Sequence, residues 1–131
     1  MLYSILIYVS EARVEAMTAE EDAAHVAQHL KVHERLSARR QLGPVVRLMP
    51  THTAQQLRTS GAEASVVDGP FAETKEQLLG FYIVDCESAE EAMNIARSLP
   101  SIGTIFEVRP VNLFFPGSGL KEQTDSPWTG K

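Results

Sequence analysis

The chain has 131 residues, 44% of them apolar and 22% charged, with a formal net charge of −5. That is enough for one domain with a buried core, and the composition excludes a disordered chain. The acidic balance (pI ≈ 5.3) argues against a nucleic-acid binder, which needs basic groups to neutralise phosphates, and against docking on anionic lipid.

Cys86 is the one cysteine, so an internal disulfide framework and a cysteine-rich zinc site are excluded. A reducing compartment fits this usage. The opening MLYSILIYVSEARVE lacks the basic lead and small-residue cleavage site of a secretory signal. No run approaches the ~20 apolar residues of a membrane helix. The expectation is a soluble, cytoplasmic protein.

Leu2 to Val9 reads as a strand with Tyr3, Ile5, Ile7 and Val9 on one face and Leu2, Leu6 and Tyr8 on the other. Both faces are apolar apart from Ser4, which predicts a central strand covered on both sides. Helices can cover one side. A partner subunit is the simplest cover for the other. Residues 10–17 read as a connection. Thr18-Ala19-Glu20-Glu21 is a capping box, opening a helix to about Gln41, with Gly43-Pro44 as its stop. Ala19, Ala23, Val26 and Leu30 recur at spacings of three and four and predict its inward face.

Val45 to Met49 reads as a short strand, and residues 54–59 and 63–67 as a hairpin around Ser60-Gly61. Asp68-Gly69-Pro70 breaks the pattern. Phe81 to Asp85 is a strongly apolar strand. Ser88-Ala89-Glu90-Glu91 is a second capping box, opening a helix through Leu99 with Ala89, Ala92, Ile95, Ala96 and Leu99 inward. Thr104 to Val111 is a last strand. Strand–helix–strand, hairpin, strand–helix–strand predicts a ferredoxin-like α+β sandwich over residues 1–115. Residues 116–131 form a tail, flexible or clamped onto a neighbour by Trp128.

His25, His29 and His33 lie at i, i+4 and i+8 on the first long helix, each step drifting about 40° around the axis. With Ala19, Ala23, Val26 and Leu30 inward, His33 falls inside the stripe, His29 at its edge and His25 towards solvent. An imidazole at the edge of a buried face suits a general acid or base; the plainer reading is a helix-face histidine satisfied by water or backbone. The pair His25/His29 lacks the HExxH form, and no cysteine or tight acidic cluster supplies further metal ligands, so no metal and no cofactor are expected.

Asp68-Gly69-Pro70-Phe71 is the most unusual segment. Gly69 permits a backbone geometry barred to other residues and Pro70 fixes the next φ. Such a turn holds the Asp68 carboxylate at a set position, or is simply an Asx-type turn. Phe71 can anchor the loop, and Lys75 can meet an anionic substrate or a solvated surface; both are candidate substrate contacts.

The run DGPFAETKEQLLGFYIVDCESAEEAMNIARSLP, leading into TIFEVRPV, resembles the DGPF branch of the YCII-related proteins. The opening MLYSILIY and the helix ending before Gly43-Pro44 fit the same pattern, and the likeness spans residues 2–115. It implies a ferredoxin-like fold and a homodimer whose sheets face each other as an α+β barrel, with the bend at residues 68–71 lining the enclosed chamber. The family is similar in fold to muconolactone-isomerase-like enzymes, and one relative type dechlorinates a chlorinated muconolactone. A His–Asp pair in a cleft has been proposed as the family's active site. Residue by residue, His29-Leu30 matches the His-Leu step of the first helix and Asp68 the DGPF aspartate.

Two functions follow as expectations. In the first, the protein is a cofactor-free isomerase, lyase or hydrolase acting on a small lactone-like molecule, with His29 and Asp68 as acid/base residues. In the second, it is a ligand-binding or regulatory protein, since DGPF proteins are often encoded beside extracytoplasmic-function sigma factors. A third, architectural reading has Asp68 capping backbone N–H groups and Phe71 filling the core.

Overall fold

A computed structural model describes residues 1–61, 63–71, 75–124 and 128. Four strands make one antiparallel sheet: β1 (Leu2–Val9), β2 (Leu42–Arg47), β5 (Gln77–Asp85) and β6 (Ile105–Pro110), in the order β2-β5-β1-β6. Two more, β3 (Gln55–Arg58) and β4 (Ser65–Asp68), form a separate hairpin. Helices α1 (Glu11–Glu15), α2 (Ala19–Ala38) and α3 (Ala89–Ser98) complete the ferredoxin-like α+β arrangement.

The first strand is central, as its two-sided apolar pattern demands: it pairs with β5 on one side and β6 on the other. Tyr3, Ile5, Ile7 and Val9 are buried, while Leu2, Ser4, Leu6 and Tyr8 on the opposite face are half-buried. Cross-strand pairing places Phe81 beside Leu6 and Ile83 beside Ser4 on that second face. Within one chain the helices cover only the first face.

The long helix opens on a complete capping box. The Thr18 hydroxyl accepts the Glu21 N–H at 3.1 Å, and the Glu21 carboxylate accepts the Thr18 N–H at 3.3 Å. It closes at Ala38, three residues before the expected end. Arg40 takes a left-handed φ of 57°, Gln41 N–H donates to the Leu36 carbonyl at 2.9 Å and Arg40 N–H to that of Ser37 at 3.0 Å. This is the Schellman closure, with an arginine where glycine is the usual residue. Gly43 and Pro44 therefore lie inside β2, an edge strand whose register against β5 shifts between Leu42 and Val45. An edge and a register shift are where a proline, lacking its N–H, is tolerated.

The last helix has its expected inward residues. Ala92, Ile95, Ala96 and Leu99 are buried, but Ala89 is exposed. Its cap is half of the box read from the sequence. Ser88 accepts the Glu91 N–H at 3.1 Å, yet the Glu91 carboxylate turns to the Glu87 N–H at 2.8 Å and to Gln41 Nε2 at 2.6 Å. Other boundaries move as well. Residues 10–17 contain α1, and β5 starts at Gln77, four residues before the apolar run at Phe81. Gly80 permits that extension, because a Cβ there would collide with the Val46 carbonyl of the paired strand.

Residues 111–124 form no helix or strand, and Leu113 and Phe115 among them are exposed. Trp128 donates its indole N–H to the Leu48 carbonyl of the same chain at 2.9 Å.

Candidate functional site

The inward face of α2 is not the one the apolar spacing indicated. Ala19, Ala23, Val26 and Leu30 are all exposed, Leu30 by 56%. Val32 and Leu36 are buried against the sheet, and His25, His29 and His33 are half-buried along the same side. His25, His29, Val32 and Leu36 recur at spacings of four, three and four, an ordinary helical stripe. Its N-terminal half is built of imidazoles in place of aliphatic side chains. The reading of His25 as solvent-facing is therefore corrected: it sits edge-on against His29, ring centroids 5.1 Å apart.

A polar row on a buried face needs a partner, and β5 supplies it. Tyr82 alternates inward with Val84 and is 1% exposed. Its phenol lies 2.6 Å from His29 Nδ1 and 2.6 Å from His33 Nε2. The His29 and Tyr82 rings stack at 5.8 Å, and the His33 ring meets Tyr82 edge-on at 5.3 Å. One hydroxyl thus bridges two imidazoles, donating to one and accepting from the other.

Burial holds this cluster neutral. The pKa of His29 falls from 6.5 to about 4, chiefly by desolvation and then by the neighbouring His25, His33 and Arg47. His25 and His33 are also lowered, first by desolvation; at His25 Asp22 opposes the shift and Arg47 adds to it. Burial raises the Tyr82 phenol well above its ordinary range. Arg47 stands at the edge of the row, 3.2 Å from the Asp22 carboxylate. Among the described residues, His29 Nε2 has no hydrogen-bond partner.

Asp68 ends the exposed strand β4, and its carboxylate accepts from Gln55 Nε2 at 3.0 Å across the hairpin. It makes no hydrogen bond to His29 within the chain; Tyr82 occupies the position beside Nδ1 that an orienting carboxylate would take. The Gly69–Pro70 peptide is cis, and Gly69 donates its N–H to the Ala54 carbonyl at 2.7 Å. A side chain at Gly69 would collide with the Thr51 carbonyl and press on the Phe71 ring. Phe71 is half-buried against Gly69 and is not part of the buried core cluster. Thr51 is tied in turn to Glu11, through its N–H at 2.8 Å and through its hydroxyl. Lys75 is exposed and borders a separate hollow with Ser10, Arg13, Glu76 and Gly103.

Sequence reasoning reached two of the three groups in the cluster and missed Tyr82. The signal was present: a tyrosine at an inward position of an apolar strand must find a partner for its hydroxyl. Among the described residues no group of three or more His, Cys, Asp or Glu side chains is placed to hold a metal ion, and no helix is long and apolar enough to cross a membrane.

The sheet order, helices α2 and α3 packed on one face and the separate hairpin define a ferredoxin-like α+β protein carrying a His–Tyr–His cluster between its long helix and its sheet. The chain belongs to the YCII-related domain family, whose model matches residues 1–114. It is similar to an uncharacterised protein of Rhizobium meliloti, 48% identical over 121 residues, which cover 89% of this chain and 97% of that protein.

Proposed function

We propose that the chain is a DGPF-type member of the family that works as a homodimer and as a cofactor-free acid/base enzyme. The reaction is an isomerisation, elimination or hydrolysis of a small lactone-like molecule, and His29 is the general base. One observation carries this reading: a neutral, half-buried imidazole whose Nδ1 is fixed on Tyr82 while Nε2 has no partner among the described residues. Its second nitrogen is open to take a proton, and because burial weakens this imidazole as a base that proton is passed on and not held.

Asp68 enters the proposal as a carboxylate on a rigid, exposed turn that contacts substrate, and not as the partner that orients His29. Phe71, on the same turn, is proposed beside it, and Lys75 is proposed to contribute from the separate hollow that it borders with Ser10, Arg13 and Gly103. The homodimer is supported by the second face of the sheet, where Leu2, Leu6, Tyr8, Phe81 and Ile83 are left without helical cover. A chamber between those faces would lie across the sheet from His29, so the proposed substrate surface, Asp68 included, is on the helix side and not in that chamber.

The test is a screen of lactone-like substrates with wild type, His29→Ala and Asp68→Asn. Loss of turnover in His29→Ala, with a KM effect in Asp68→Asn, is expected. Equal turnover in all three removes the proposed roles and leaves a ligand-binding or regulatory protein.

A further inference from the structure

We propose that Tyr82 is the middle of a proton relay that passes a proton between His29, on the inner side of α2, and His33, beside open solvent. As a route for a substrate proton this rests on His29 being the base; the linkage of the two imidazoles does not. The geometry is the bridging phenol, 2.6 Å from a nitrogen of each ring.

A phenol has one hydrogen to donate, and here it has two imidazole neighbours. Two arrangements satisfy the phenol and both nitrogens that face it. In the first, His29 Nδ1–H donates to the Tyr82 oxygen and the Tyr82 hydroxyl donates to His33 Nε2. Both imidazoles then carry their proton on Nδ1, and His29 Nε2 is a free base. In the second, the Tyr82 hydroxyl donates to His29 Nδ1 and His33 Nε2–H donates to the Tyr82 oxygen. Both imidazoles then carry their proton on Nε2. Mixed tautomers fail. Two N–H donors would leave the hydroxyl hydrogen unpartnered, and two bare nitrogens would compete for one hydrogen. Tyr82 has no other side-chain hydrogen bond, and an unmade bond at a buried site is costly.

The proton steps balance. Starting from the first arrangement, His29 Nε2 takes a proton. The Nδ1 proton moves to the Tyr82 oxygen as the Tyr82 hydroxyl proton moves to His33 Nε2. His29 ends neutral with its proton on Nε2, Tyr82 ends neutral, and the positive charge sits on His33. That is the favourable end for the charge. His33 lies beside the exposed residues Ala27, Leu30, Lys31, Glu34 and Ser37 of α2, so water can hydrate the imidazolium and take the proton. His29 instead packs among His25, His33 and Tyr82, with the Arg47 guanidinium from β2 nearby. The charged groups around the relay are Asp22 and Arg47 at the His25 end and Lys31 and Glu34 at the His33 end.

Nitrogen-15 NMR of the histidine rings tests this in the intact protein without substrate. At pH 8 both rings of wild type should show the same tautomer. On acidification the first imidazolium of the pair should appear at His33, with His29 neutral and protonated on Nε2. In Tyr82→Phe the tautomers should become independent. Mixed tautomers in wild type, or a first charge at His29, would overturn the relay, and both are read on wild type whether or not the variant folds. Paired tautomers in a protein that turns over no substrate would remove the catalytic reading and keep the relay. His29-dependent turnover with mixed tautomers would do the reverse.

Discussion

Acid should destabilise this fold through His29. Its pKa is about 4 in the folded chain against 6.5 as the ordinary value. Between those values the unfolded chain binds the proton and the folded chain does not, so stability falls as pH drops from about 6.5 towards 4 and is unaffected by this group above that window. The full shift corresponds to a ceiling of about 3 kcal/mol. His29 is partly exposed, and solvent screening reduces the effect to about 1–2 kcal/mol. Carboxylates titrate in the same range, so the measurement is a difference. Urea unfolding is followed at several pH values between about 7.5 and 4.5 for wild type and for His29→Gln, which keeps a neutral polar side chain. Wild type should lose about 1–2 kcal/mol more than the variant across that range. Parallel curves would refute the claim that burial keeps this imidazole neutral.

Four further outcomes are expected. Leu36, 1% exposed at the anchored end of α2, should cost about 2–5 kcal/mol when changed to Ala, while Leu30→Ala on the exposed side of the same helix should cost under about 1 kcal/mol; chemical denaturation compares them. Arg40→Gly should raise stability by about 0.5–1 kcal/mol, because it relieves a left-handed backbone that disfavours a Cβ; a lower melting temperature would count against the Schellman closure. Gly80→Ala should separate β2 from β5 and yield an unfolded or aggregated product, since the new methyl meets the Val46 carbonyl; a native-like circular dichroism spectrum and melting curve would contradict the close approach. Cys86 is 3% exposed and its thiol is pushed up to about 11, first by burial and then by Glu91 and Asp85, so a disulfide reagent at pH 8 should label it slowly in the folded protein and rapidly in urea.

Much of the architecture was legible along the chain because its signals are local. Alternation in Leu2–Val9 marks a strand with two apolar faces, the Thr18/Glu21 box marks a helix start, and Ala92, Ile95, Ala96 and Leu99 mark a single buried stripe. Each depends on residues within one or two turns of one another. The face of α2 was different. Ala19, Ala23, Val26 and Leu30 form an apolar stripe at helical spacing, and it points to solvent. The true inner stripe contains three imidazoles, whose burial is tolerable because a phenol from a strand some fifty residues later satisfies two of them. No local pattern carries that information.

The sequence by itself determined that there would be strand–helix–strand units around a hairpin, a central first strand, and a break in the chain at Gly69-Pro70. Covalent sterics and side-chain periodicity act over a few residues and are written into the chain directly. Only the tertiary structure decided which side of α2 faces the sheet, that Tyr82 and not Asp68 stands beside His29, and that Gly43-Pro44 belongs to a strand. Those outcomes depend on which hydrogen-bonding groups can be satisfied once distant segments are packed together, and a buried polar atom finds its partner in space without regard to separation along the chain.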